Sequence, residues 1–405
     1  MNDSLLIAGG GIGGLACALA MSRSGRAVTV LEQASDFTEI GAGIQLGPNA
    51  MRVLADWGCD RAVKAVATCP DELRVRDAHG GRELGHLRLG STSLARYGHP
   101  HACIHRADLH RLLLEAVQLQ TPATLRLRAR VEAFDVQADV VRVALDEGRS
   151  LFGAALIGCD GLWSRVREWL LDATPARLTG HLAYRGLIPA ERLAHGLRSN
   201  SVQVWLGERM HVVSYPVRSG ESINVVAVVH GRLGQGHGGD DPQRWSQDAR
   251  AGDLLAASGP LARDLHALID ACPGWTLWAL HDRPELRGPC EMARGPVALL
   301  GDAAHPMRPY LSQGAGMALE DAWTLGLLAE RCQANTDWTA LFARYAAHRW
   351  ARNARVQRSS LNNGRAYHAR GPLRWGRNVA MTLLGERLLA NHWLYSGPPR
   401  PPVLP

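Results

Sequence analysis

The chain has 405 residues, 46% hydrophobic and 20% charged, which excludes a disordered or collagen-like polymer; at roughly 150 residues per domain it points to two or three packed domains. Its formal charge of +7 comes almost wholly from arginine, since Lys64 is the single lysine, and the context DRAVKAVA suits neither a Schiff-base nor a phosphate-loop lysine. The arginines are scattered, with no basic run, zinc-finger spacing or aromatic RNP-like strand, so the charge reads as a solvated surface and not as a nucleic-acid face.

Residues 4 to 8, SLLIA, have the pattern of a short buried strand. Gly9, Gly11 and Gly14 follow in a GxGxxG arrangement, LACALAMSRSG reads as an apolar helix stopped by Gly25, and AVTVLE reads as a second strand ending at Glu32. A bare GxGxxG is a common turn, but here strand, glycines, helix and acidic strand end stand in the register of a dinucleotide-binding βαβ unit. In such a unit one glycine permits the tight turn, one lets backbone amides approach a pyrophosphate at the helix N-terminus, and one allows close packing. Glu32 would accept hydrogen bonds from a ribose. The bland alternative is a glycine turn without a ligand.

Farther on, IGCDGLWSRVR at 157–167 is another strand end carrying Asp and Gly. From about 175 to 284, LAYRGLIPA, SVQVWLG, MHVVSYPVR and SINVVAVVHG are β-rich runs separated by short turns, the pattern of an antiparallel meander. Within MHVVSYPV, alternation places His211, Val213 and Tyr215 on one face, with Val212 and Ser214 on the other. Two polar aromatic groups on an otherwise apolar face suit a pocket for a phenol; an exposed outer face is the alternative. The glycine-rich GRLGQGHGGDDP starts no helix at the right place and reads as a surface connection.

PVALLGDAAHP then returns to a buried strand ending in Gly-Asp, so the first domain is interrupted by the β insertion. Pro306 and Pro309 stiffen the next loop, and Gly314 and Gly316 would bare backbone amides at the start of the helix MALEDAWTLGLLAE, a place that stabilises negative charge. The tail carries arginine-rich helical stretches and ends in GPPRPPVLP, expected to fray. The expected fold class is α/β: a discontinuous Rossmann-like domain (1–174 and 285–345), a mainly antiparallel β-sheet substrate domain (175–284) and a C-terminal helical region and tail (346–405). The eight cysteines form no CxxC pair and suit packing as small hydrophobes in a reducing compartment. With no leader pattern and no apolar run of membrane-spanning length, we expect a cytoplasmic protein without stable membrane insertion, nucleic-acid partner or metal.

GGGIGG with Glu32, IGCDGLWSRVR and LLGDAAHP, in this order, resemble the single-component flavoprotein aromatic monooxygenases, the family that includes salicylate hydroxylase, 3-hydroxybenzoate 6-hydroxylase and 6-hydroxynicotinate 3-monooxygenase. The resemblance extends through GAGIQLGPNAMRVLADWG (41–58), HRADLHRLLLEA (105–116), AYRGLIP (183–189) and GDAAHPMRPYLSQGAGMALEDA (301–322). It implies FAD, held without a separate NAD(P)H domain, and NADH or NADPH as co-substrate. Carried over by motif, Gly9, Gly11 and Gly14 hold the pyrophosphate, Glu32 the adenosine ribose, Arg106 the linker region and Asp302 the ribityl chain. Asp160 and Gly161 belong to a motif tied to FAD and NAD(P)H, and Pro306, Gly314 and Gly316 to the flavin loop. Asp160 capping a turn and Arg106 as a surface arginine are the bland readings.

The implied reaction is hydroxylation of a small phenolic acid, with O2, through a flavin hydroperoxide. His211 is expected to take the substrate's hydroxyl proton, because an unperturbed imidazole titrates near neutrality, with Tyr215 as its hydrogen-bond partner. Gln45, Tyr184, Arg185, Trp205, Val213 and Tyr310 are the expected pocket residues, with Arg185 among those placed to steer a carboxylate. His305 is the rival acid or base, although its AAHP setting equally suits loop packing. A monomer or homodimer is expected. Two alternatives stay open: hydroxylation or epoxidation of a larger aromatic or isoprenoid substrate, and a non-catalytic escort protein of the same fold.

Overall fold

A computed structural model describes residues 4–37, 42–137, 140–171, 175–231, 246–332 and 336–401; the glycine-rich connection that follows Gly231 lies outside them. Strand Leu5–Ala8 is buried along its whole length because parallel neighbours flank it, Ala155–Gly158 on one side and Val28–Leu31 on the other. Thr124–Arg126 extends this sheet at one end, and Val297–Leu299 with Ala293–Arg294 at the other, giving six strands. Val297–Leu299 therefore rejoins, parallel to Ala155–Gly158, after the chain has left to build a second sheet. Helix Ile12–Arg23 leaves the first strand through the glycine turn, and helix Gly314–Ala329 leaves the last.

The second sheet has eight strands in the order Ser246–Ala249, Trp275–Asp282, Arg177–Pro189, Ser222–His230, Met210–Val217, Ser201–Leu206, Glu72–Asp77, Glu83–Arg88. Its pairings are antiparallel except that of Ser201–Leu206 with Glu72–Asp77, which is parallel. The last two strands come from the chain's first segment, so the sheet is not confined to residues 175–284. The edge of Ser201–Leu206 offers unpaired backbone groups, and a strand remote in sequence supplies their partners. The expected boundary at 346 is also replaced, because it falls inside one continuous helix, Trp338–Tyr367. The described part of the tail is tied down: His348 Nε2 and Arg331 lie 3.1 Å from the carbonyl oxygens of Pro399 and Pro401. Among the described residues no helix is long and apolar enough to cross a membrane.

The two faces of the eight-stranded sheet pack differently. Met210, Val212, Val225 and Ala227 join Leu254, Leu265 and Ile269 of helices Ala251–Ser258 and Arg263–Asp270. The other face turns toward the Rossmann-like part and meets strand Gly43–Leu46. There the Tyr215 hydroxyl donates to the Gly43 carbonyl at 2.7 Å, while the Gly43 amide donates to Asn224 Oδ1 at 2.7 Å. Tyr215 and Asn224 are register partners on adjacent strands, so together they engage both the carbonyl and the amide of Gly43. A Cβ at Gly43 would sit 2.8 Å from the Tyr215 ring and 2.9 Å from Asn224, which is why this join needs glycine.

Candidate active site

At the first strand end Gly9 has φ +99°, and a Cβ on Gly14 would lie 1.9 Å from the Gly9 carbonyl oxygen. Gly11 caps helix Ile12–Arg23, and no side chain caps it, so the first-turn amides face outward. Glu32 stands across the turn: its carboxylate accepts from the Gly10 amide at 2.6 Å and the Ala34 amide at 2.9 Å. At the other strand end Asp302 is exposed beside the start of helix Gly314–Ala329, where a Cβ on Gly314 would be 3.7 Å from Asp302 Oδ1. Two helix N-termini, an acid at each strand end and space kept by glycine fit a dinucleotide carrying a flavin. Arg106 opens helix Arg106–Gln120 beside strand Gly43–Leu46.

Asp160 takes the capping role. Its carboxylate accepts from Ser164 Oγ at 2.6 Å and from the Arg165 and Val166 amides at 2.8 and 3.1 Å, at the start of helix Arg165–Leu171. Gly161 supplies the left-handed turn before it, φ +74°. His305 is buried with Nε2 2.5 Å from Asp321 Oδ2, and Pro306 gives its carbonyl to Gln357 at 2.9 Å. Arg349 donates to Asp321 and Glu320 at 2.7 and 2.9 Å, and Arg352 and Asn49 also bind Glu320. This network, buried except for the partly exposed Arg352, braces the loop and helix Gly314–Ala329, and it uses His305 as a brace. Burial opposes ionisation of Asp321, yet His305 and Arg349 hold its carboxyl well below the usual range.

Sheet register assembles the face opposite the loop. Ala183, Val228 and His211 lie in one cross-strand row, Arg185, Val226 and Val213 in the next, and Leu187, Asn224 and Tyr215 in a third. An apolar centre of valines is thus bounded by Arg185, His211 and Tyr215, and Tyr310 packs with Ala183 and Val228. Gln45 is buried on the adjoining strand, within 3.2 Å of His101 Nε2. Tyr184 and Trp205 do not join them: both point to the opposite face and pack in the core under helix Arg263–Asp270. Odd and even positions of a strand face opposite ways, so Tyr184 cannot share the face of Arg185.

Arg185 stacks over the Trp278 ring, 4.3 Å from its centroid, and its buried Nε has no hydrogen-bond partner among the described residues. Burial, reinforced by the nearby Arg106 charge, lowers its pKa to about 10. Asn224 Nδ2 is a second buried donor on this face without a partner among the described residues. Such orphaned donors call for an acceptor that the described residues do not provide.

The expected bond between His211 and Tyr215 is not formed. Tyr215 spends its proton on Gly43, and burial pushes its phenol well above the ordinary range. His211 Nδ1 instead lies 2.8 Å from His368 Nε2, at the C-terminal cap of helix Trp338–Tyr367, and Nε2 bonds no described residue. Burial also depresses His211 to about 3, so titration near neutrality does not describe it. Sequence reasoning passed over His368, Asn224 and the Glu320–Asp321–Arg349 network. The one available signal was the pair of acids inside an otherwise apolar helix, since buried acids need partners.

The chain matches the FAD binding domain family over residues 3–360. It is 39% identical to the 3-hydroxybenzoate 6-hydroxylase of Polaromonas naphthalenivorans (strain CJ2), across 96% of this chain and 95% of that protein. It is 37% identical to a 3-amino-4-hydroxybenzoate 2-monooxygenase of Streptomyces platensis, across 96% and 95%. The solved structure of Klebsiella pneumoniae HpxO complexed with FAD and uric acid superposes with a TM-score of 0.85 at 25% identity, covering 98% of this chain and 97% of that one.

Proposed function

We propose, on the premise that the chain belongs to the FAD-binding-domain family of aromatic monooxygenases, that its substrate is a small hydroxylated benzoate held between Arg185 and His211. The protein is an FAD-dependent aromatic hydroxylase that uses NAD(P)H and O2. FAD, when bound, supplies hydride acceptance and oxygen transfer. In our reading the amides after Gly9, Gly11 and Gly14 hold its pyrophosphate, Glu32 its ribose and Asp302 its ribityl chain. The eight free thiols suit a reducing compartment.

The observation that carries the substrate class is Arg185, a guanidinium fixed on an apolar face with its Nε buried and unpartnered among the described residues. A carboxylate there gains a charge-assisted hydrogen bond and restores a cation that burial disfavours. With the carboxylate so placed, Val213, Val226 and Val228 pack the ring and exclude water, which would otherwise divert oxygen to peroxide. His211 Nε2 accepts the ring hydroxyl's proton, which raises the ring's nucleophilicity at the carbon attacked. The relatives act at different ring positions, and what their printed substrates share is a hydroxybenzoate.

The test is a screen of 3-hydroxybenzoate, salicylate and 6-hydroxynicotinate against phenols lacking the carboxylate, with stimulated NAD(P)H oxidation, product and peroxide all measured. Arg185→Met should raise KM for the acids roughly 10–100-fold while leaving that for neutral phenols unchanged. Equal turnover of acids and neutral phenols by the unmodified enzyme would overturn the assignment.

A further inference from the structure

We infer that His211, His368 and His230 form a proton relay that carries the substrate's hydroxyl proton from the buried sheet face to solvent, a role resting on the reading of His211 as the proton acceptor. His211 is 2% exposed, and its Nδ1 is 2.8 Å from His368 Nε2. His368, itself 7% exposed, continues the line through Nδ1, 2.9 Å from His230 Nε2. His230 is exposed at the end of its strand and lines an open surface depression of about 450 Å³ with Thr179, His181 and Arg209. Three rings from two strands and a helix cap thus join the site to water without a break.

A relay resolves the difficulty that burial creates. At pH 7 a lone imidazole whose pKa is about 3 is neutral in all but about one molecule in 10⁴, so His211 cannot simply store the proton. The other two rings are also depressed, His368 to about 2, by burial first and then by neighbouring rings and arginines. Neutral rings pass a proton by exchanging tautomers. With each proton initially on Nδ1, the substrate O–H gives its proton to His211 Nε2, and His211 Nδ1–H passes one to His368 Nε2. His368 Nδ1–H passes one to His230 Nε2, and His230 releases its Nδ1 proton to water. One proton enters and one leaves, each ring ends neutral on the other tautomer, and the phenolate remains as the charged product.

His181, His230 and His368 place nitrogens within 4.8 Å of one another, a spacing that a metal ion might suggest. The His181 and His230 rings, however, face each other 4.3 Å apart at 32°, because their residues are register partners. Arg209, Arg308 and Arg370 add positive charge around them, with Asp282 the acid opposing it at His181. Rings in mutual contact within a positive field suit tautomer exchange along neutral imidazoles better than capture of a metal cation. The Tyr310 hydroxyl is hydrogen-bonded with His181 Nδ1 and Tyr367 packs on His211, closing the sides of the line.

The experiment uses the FAD-loaded enzyme with 3-hydroxybenzoate as probe, reading the proton released to a pH indicator in weak buffer as the probe binds, before NAD(P)H is added, and then the hydroxylation rate. His368→Asn and His230→Ala should each slow both roughly tenfold or more with KM unchanged. Imidazole in the buffer should restore His230→Ala, whose lost ring lies at the surface, but not His368→Asn. Rates within twofold of the unmodified enzyme in both variants, or losses that imidazole leaves untouched in His230→Ala, would overturn the relay. His211→Asn separates the two readings: if it hydroxylates at full rate the acceptor assignment fails, whereas if it alone is slow the acceptor stands and the relay falls. His230→Ala sits on the surface, so its result does not depend on refolding the core around His368.

Discussion

Replacing Arg349 with methionine takes the central cation from two carboxylates that are themselves fully buried. In the native protein Arg349 binds Asp321 at 2.7 Å, Glu320 at 2.9 Å and Asn353 at 3.0 Å. Glu320 keeps Arg352 and Asn49, and Asp321 keeps His305 and Asn353, so the loss is partial but the charges stay out of water. Breaking a buried pair from one side costs about 3–5 kcal/mol. For a chain of 405 residues the unfolding entropy is about 0.85 kcal/mol/K, so the midpoint should fall by about 4–6 °C. Calorimetry of the FAD-loaded variant at pH 7 measures this. Glu320 and Asp321 have depressed pKa values in the folded protein, so their contribution is complete above the unfolded carboxylate range and is lost as pH falls through the folded values. In the variant these carboxyls take up protons earlier, so the gap from the native protein should narrow toward acid pH. A midpoint lowered by less than about 1 °C at pH 7 would show that the network does not depend on its arginine.

Tyr215→Phe removes the donor to the Gly43 carbonyl and should cost about 1–3 kcal/mol of stability by thermal denaturation. Its hydroxylation rate should stay within about threefold of native, since a lost acid–base group would cost roughly 10²-fold or more. Gly14→Ala forces a Cβ to within 1.9 Å of the Gly9 carbonyl, so the purified protein should lose its flavin absorbance. His101, His181, His211 and His368 are held neutral, chiefly by burial, at about 4, 4, 3 and 2. Their contribution is therefore complete above the unfolded imidazole value of about 6.5 and declines as pH falls below it, and the midpoint should drop steadily from pH 7.5 to 5. A flat profile over that window contradicts the assignment.

The sequence by itself determined the strand–glycine–helix unit around Gly9, the return of the chain at Gly301-Asp302, and the shared face of His211, Val213 and Tyr215. These are local features, fixed by glycine's access to positive φ, by the helical period and by the two-residue alternation of a strand. Only the tertiary structure decided that Glu72–Asp77 extends the second sheet, that Tyr215 clamps Gly43, and that His211 leans on His368, 157 positions away in sequence. It also decided which partners neutralise Glu320 and Asp321 and which rings lead out to solvent. Alternation tells which way a side chain points but not what stands opposite. Burial and partnership then set whether an imidazole is a free base near neutrality or a neutral link in a chain of hydrogen bonds.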